Sequence, residues 1–142
     1  IDKESKPIKG IKRFLEWAKN NSVSCAVCTN KTEKLAIDLL KKLNMINFFE
    51  YVAGHDTFDF CKPDPRHLTN VVEIIGGDLK KTIMIGDSEV DGQAALNAKL
   101  PFILIKNGYT EKKPDEIKHN DIIEDYSNFD ILIKKYLFLI FL

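Results

Sequence analysis

Short apolar runs alternate with helical repeats along this chain, which predicts an α/β fold: a doubly wound parallel sheet with helices on both faces. Thr82-Ile83-Met84-Ile85 and Phe102-Ile103-Leu104-Ile105 are almost wholly apolar, as strands covered on both sides must be. Between such runs, apolar residues recur at helical spacing, with Leu35, Ala36, Leu39, Leu40 and Leu43 on one face.

The elements follow in order. Ile8, Ile11, Leu15 and Ala18 predict a first helix over 7–20. A strand follows over 23–28, then a helix over 32–43 and a short strand at Tyr51-Val52-Ala53. The loop from Gly54 to Pro65 leads into a helix over 65–75. Pro65 suits its first turn and Gly76-Gly77 ends it. Strand 82–85 precedes helix 90–98, whose Val90, Ala94, Ala95 and Ala98 cover the sheet. Strand 102–105, a polar loop from Asn107 to Pro114, a short edge strand at Asp121–Glu124 and a helix over 127–138 complete the chain. With no repeat, linker or low-complexity segment, residues 1–142 read as a single domain.

Composition narrows the function. The 142 residues are 44% hydrophobic and 30% charged, an ordinary globular balance. Twenty-one basic residues offset twenty-one acidic ones, so no long-range field favours nucleic acid. No signal peptide and no run of about 20 apolar residues is present, so no membrane span is expected. The three cysteines are Cys25, Cys28 and Cys61. Cys25 and Cys28 lie three apart on a strand and should face opposite ways, as a buried reduced pair in a cytoplasmic protein. His55, His67 and His119 lack metal-ligand spacing and receive no role. The uniformly apolar tail Leu137–Leu142 reads as the end of a packed helix, and an exposed partner-binding patch is its rival.

Three stretches carry chemistry. Ile85-Gly86-Asp87-Ser88, with Asp91 four residues after Asp87, joins a strand end to a helix start. That is where an open α/β sheet places its site, and the two carboxylates make it oxygen-rich and suited to Mg²⁺. Thr29-Asn30-Lys31 ends the second predicted element at a helix N-terminus; its hydroxyl and amides suit either a phosphate oxygen or a plain helix cap. In Cys61-Lys62-Pro63-Asp64-Pro65 the prolines stiffen the loop that carries Lys62, and a fixed ammonium suits a phosphoryl group.

In the order Thr29, Lys62, Asp87, Asp91, these motifs resemble the haloacid dehalogenase superfamily, and within it the phosphoglycolate phosphatase branch. Lys6-Pro7-Ile8-Lys9-Gly10 and Gly108-Tyr109 also match, so the resemblance spans nearly the whole chain. It implies the Rossmann-like sheet of that superfamily and a Mg²⁺-dependent phosphatase acting on a small phosphate monoester through an aspartyl-phosphate. Thr29 and Asn30 would bind phosphate, Lys62 would neutralise its charge, Asp87 would ligate Mg²⁺, and Asp91 would support the metal or Lys62 from behind. One departure is Lys99, where the family has glycine.

The family's nucleophile motif, Asp-x-Asp-Gly-Thr, is absent from the chain, which starts at Ile1. The chain is therefore expected to be the C-terminal part of a longer architecture, without the central first strand and the cap, or else a degenerate product. The alternative function is a non-catalytic or vestigial domain that keeps a phosphate and Mg²⁺ half-site. A response-regulator receiver is weaker, because its acidic cluster belongs on the first strand. By the same resemblance the first strand lies between the strands that end at Thr29 and Asp87. Without it those strands must pair directly or leave unpaired edges, so the expected partners include a small phosphorylated metabolite and either self-association or an N-terminal segment at the gap or the apolar tail.

Overall fold

A computed structural model describes residues 7–106 and 116–141. In chain order these form α1 (Ile11–Asn20), β1 (Ala26–Cys28), α2 (Glu33–Lys42), β2 (Tyr51–Ala53), α3 (Arg66–Ile74), β3 (Met84–Gly86), α4 (Glu89–Ala98), β4 (Phe102–Ile105), β5 (Asp121–Ile123) and α5 (Phe129–Phe141). Short 3₁₀ turns at Ile46–Phe48 and Leu79–Lys81 precede β2 and β3. Gly108-Tyr109 lies outside the described residues, as do Leu142 and the side chains of 137–141.

All described strand pairs are parallel, but they fall into two sheets. β1 pairs with β2, and β3–β4–β5 form a second sheet in that order. β1 and β3 do not pair with each other, so the expected gap is present and open.

Helices cover both faces, as the apolar strands require. Along β4, Phe102 and Leu104 turn to one core with Leu68 of α3 and with Ala94 and Ala95 of α4. Ile103 turns to the other, with Phe14, Leu15 and Ala18 of α1 and Phe129 and Ile133 of α5. Period-two alternation thus feeds two cores from one strand. Cys25 packs on the second core and Cys28 on the first, so the two thiols do face opposite ways, and all three cysteines are free. Burial raises Cys25 to about 11 and Cys28 to about 12, which leaves both thiols protonated and inert.

Several boundaries differ from the periodicity. α1 starts at Ile11, not at residue 7, because Gly10 enters it with φ +83. A Cβ there would lie 2.7 Å from the Ser127 nitrogen, so only glycine lets the chain start pass beneath the Tyr126–Ser127 backbone. Ladder pairing shortens strand 23–28 to its last three residues and moves strand 82–85 to Met84–Gly86, in register with Phe102–Leu104. Lys99 closes α4 in the left-handed region at φ 60, which explains why glycine is favoured there. No helix among the described residues is long and apolar enough to cross a membrane.

Candidate functional site

The C-terminal ends of β1 and β3 converge on Lys62. Its carbonyl accepts a hydrogen bond from the Asn30 side-chain amide (2.8 Å), two residues beyond β1. Its ammonium binds Asp91 Oδ1 in an ion pair whose side chains are only 8% and 9% exposed. Asp91 Oδ2 in turn accepts the backbone N–H groups of Asp87 (3.1 Å) and Ser88 (3.3 Å).

Sequence explains the local folding. Ser88 accepts the Asp91 N–H at 3.3 Å while Asp91 reaches back, a reciprocal capping box that starts α4 at the strand end. Gly86 makes the turn possible, since a Cβ there would lie 2.4 Å from that of Asp91. One carboxylate therefore caps a helix and anchors a lysine that comes from a loop 29 residues earlier.

Asp87 is placed differently. Its side chain is half-buried beside Asp91, and its carboxyl is raised above the ordinary 3.8 mainly by desolvation and next by the Asp91 charge. Lys62 pulls the other way but is already engaged by Asp91. The pair Asp87 and Asp91 thus faces a single nearby ammonium. A divalent cation at Asp87 would offset the excess negative charge, and Mg²⁺ commonly takes one or two carboxylates, with water and substrate oxygens completing its shell. No group of three or more metal-ligating side chains occurs among the described residues.

Thr29 directly follows β1. Its N–H donates to Ala53 O (2.9 Å), and its hydroxyl accepts the Lys31 N–H (3.1 Å) while keeping its own proton to donate. The start of α2 is less open than a strand–helix junction implies. Asp56 accepts the Glu33 N–H at 2.8 Å and Thr32 accepts that of Leu35 at 3.3 Å, so two first-turn amides are already used. Gly54 lets this loop lie against α2, since a Cβ there would sit 2.2 Å from the Glu33 nitrogen. Capping therefore falls to Thr32; Asn30 is tied to the Lys62 loop, whereas no hydrogen bond among the described residues joins Thr29 to Lys62, Asp87 or Asp91.

Sequence reasoning missed His67. It is 0% exposed, and its Nδ1 accepts the Lys62 N–H at 3.0 Å, while Nε2 has no partner among the described residues. Burial, and then the Lys62 charge, hold it below its ordinary 6.5, so the ring is a neutral acceptor under the lysine. The available signal was a histidine four residues before Val71, on the apolar face of α3. His55 is exposed, and His119 Nδ1 lies 2.7 Å from the Ile117 carbonyl; neither is joined to the Lys62 cluster.

Comparison with known proteins identifies the family. The family model of haloacid dehalogenase-like hydrolases matches residues 1–105. A phosphoglycolate phosphatase of Agrobacterium fabrum (strain C58) is 42% identical over 124 residues, 87% of this chain and 53% of its own length. One of Mesorhizobium japonicum is 36% identical over 132 residues, 93% of this chain and 57% of its own. The chain thus spans about half the length of the curated relatives it matches. Among solved structures, a predicted phosphoglycolate phosphatase from Haemophilus somnus 129PT superposes with a TM-score of 0.83 at 24% identity, covering 88% of this chain and 56% of that one, and shows the fold alone. A subfamily IA hydrolase from Geobacter sulfurreducens PCA superposes at 0.75 with 26% identity, over 88% and 60%. The matched sequence, the parallel sheet and the ordered motifs place this chain in the haloacid dehalogenase-like hydrolase family.

Proposed function

We propose that this chain supplies the phosphate- and Mg²⁺-binding half of a phosphatase that hydrolyses a small phosphate monoester. The observation that carries the reading is the buried Lys62, fixed by Asn30, His67 and Asp91 beside Asp87, whose carboxyl is raised by burial and by the Asp91 charge. The Lys62 ammonium offsets charge on the phosphoryl group, Thr29 donates its hydroxyl proton to a phosphoryl oxygen, and the Asn30 segment lies alongside. Asp87 holds Mg²⁺, with Asp91 behind it. Mg²⁺, when bound, neutralises charge on the phosphoryl oxygens.

In keeping with the family that this chain resembles, the proposed reaction passes through an aspartyl-phosphate whose carboxylate is neither Asp87 nor Asp91, since both have assigned work here. The relatives named phosphoglycolate phosphatase make a phosphoglycolate-like substrate the first one to assay. A second reading, a non-catalytic phosphate- and Mg²⁺-binding domain, draws on the open gap between β1 and β3.

Thermal unfolding with inorganic phosphate and Mg²⁺ tests the site. The expected result is a rise in Tm that Asp87→Asn removes. If Asp87→Asn responds like the parent, the metal assignment fails. A rise in Tm with no turnover of phosphoglycolate favours the second reading.

A further inference from the structure

His67 touches each segment that brings a proposed phosphate contact to the site. It lies buried in the first turn of α3, five residues after Lys62. Its backbone N–H donates to Asp64 O at 3.2 Å, which folds the Lys62 loop back onto the helix. Its Nδ1 accepts the Lys62 N–H at 3.0 Å, while Asn30 Nδ2 donates to the Lys62 carbonyl at 2.8 Å, so both backbone groups of the lysine are held. The His67 carbonyl accepts the Cys28 thiol at 3.5 Å. Cys28 immediately precedes Thr29, whose N–H is held by Ala53 O at 2.9 Å.

Only one form of the ring can do this. A nitrogen that accepts an N–H carries no proton, so the single ring proton sits on Nε2. Burial and then the Lys62 charge disfavour a second proton, against the backbone groups of Ala53 and Gly54, which favour it. Nε2 is itself buried with no hydrogen-bond partner among the described residues. A buried N–H left unpaired is costly, and an apolar side chain would fill the space without that cost. What the histidine supplies is therefore its Nδ1. Phe58 meets the ring edge-on, with centroids 6.1 Å apart, and stacks on Phe60, over which Arg66 lies at 4.2 Å. The loop before Lys62 is thus packed around the imidazole.

We propose that His67 is a positioning residue that sets the separation of Lys62 and Thr29: its Nδ1 fixes the Lys62 backbone while its carbonyl fixes Cys28 beside Thr29. The two phosphate contacts then move as one unit, although no hydrogen bond among the described residues joins them directly. This deepens the proposed function and rests on its reading of Lys62 and Thr29 as the groups that meet the phosphoryl oxygens. The hydrogen bonds through His67 exist without any ligand, so the two claims can fail separately.

Two polar variants separate positioning from packing. His67→Asn puts a carbonyl oxygen near the place of Nδ1 and keeps an acceptor for the Lys62 N–H, whereas His67→Gln reaches toward the place of Nε2 and leaves that N–H without one. The readout is residue-resolved amide hydrogen exchange on the full 142-residue chain. The Lys62 amide should stay within about threefold of the parent in His67→Asn and exchange about tenfold faster in His67→Gln. The Thr29 amide should quicken with it in His67→Gln, and the amides of β4 should not change in either variant. A nitrogen-15 spectrum of the parent ring, which depends on no variant folding, should show Nδ1 bare and Nε2 protonated. The proposal is overturned if the ring proton sits on Nδ1, if both variants quicken Lys62 equally, or if Thr29 does not follow Lys62. Inorganic phosphate with Mg²⁺ tests the underlying site. Binding that His67→Gln weakens about tenfold and His67→Asn restores supports both claims, and equal binding by all three proteins overturns the positioning. No binding by the parent refutes the phosphate site, and the amide pattern still decides whether His67 couples the two residues.

Discussion

Breaking the Lys62–Asp91 pair tests the central claim about the site, that one buried carboxylate organises two elements. Asp91 is 7% exposed and Lys62 8%. In Asp91→Asn the ammonium keeps its burial and loses its counter-charge, and one charge-assisted hydrogen bond, worth about 1.5–3 kcal/mol, disappears. Removing one partner of a buried pair costs about 3–5 kcal/mol. A single domain has about 5–15 kcal/mol in total, so the variant stands near its unfolding threshold. Lys62→Met alone strands the carboxylate but leaves its Asp87 and Ser88 N–H donors in place, so its cost should be smaller. With both changes neither charge remains, and the double variant should be more stable than Asp91→Asn alone, with a coupling energy of about 2–3 kcal/mol. Urea unfolding of the four proteins measures this. Additivity within about 0.5 kcal/mol would show that the two residues do not act as a pair and would refute the reasoning.

Gly86→Ala should lower stability by about 1–3 kcal/mol in thermal unfolding, because the new Cβ lies 2.4 Å from that of Asp91; an unchanged Tm would mean the turn is looser than described. Lys99→Gly should raise stability by about 0.5–1 kcal/mol, or Tm by about 2–4 °C, by relieving a left-handed residue at φ 60 that caps α4; a fall in Tm would contradict this. His67 titrates below its ordinary 6.5 in the folded chain, so its contribution is complete above pH 6.5 and is lost as pH falls toward the lowered value, at no more than about 1.4 kcal/mol per pH unit. Asp87, raised above 3.8, contributes with the opposite sign, fully at low pH and less as pH rises through its folded value. The difference between parent and His67→Asn therefore isolates the histidine: the variant should lose less stability below pH 6.5, and parallel pH curves would rule out His67 as the titrating support of Lys62.

The strands and helices were legible because a parallel sheet covered on both faces leaves little freedom in sequence: Phe102–Ile105 is apolar throughout and buried throughout. Boundaries were less legible because they depend on partners. β3 begins at Met84 where Pro101 O accepts its amide, and nothing within Thr82–Ile85 records that. The 3₁₀ turns at Ile46–Phe48 and Leu79–Lys81 are too short to show a period. Lys62, Asp87 and Asp91 could be read because Pro, Gly and Ser fix their backbone locally. His67 could not, because its partner is a backbone amide across a proline-bent loop.

The gap is the informative case. The sequence allowed two outcomes for the strands that end at Thr29 and Asp87, direct pairing or unpaired edges. The two edges stay apart although apolar walls line the space between them. The reason lies in the helices. α1 and α5 are locked together through Phe14 and Phe129, whose rings meet edge-on at 4.6 Å, and α3 packs against α4 beneath. Closing the gap would bring β1 and β3 to hydrogen-bonding distance only by sliding these packed layers past one another. Close-packed cores resist such sliding because every displaced contact must be remade. Lys62 adds a second restraint, since it is tied both to Asn30 beyond β1 and to Asp91 beyond β3 and so sets the spacing of the two strand ends. The same residue that would hold a phosphoryl group thus holds the slot open.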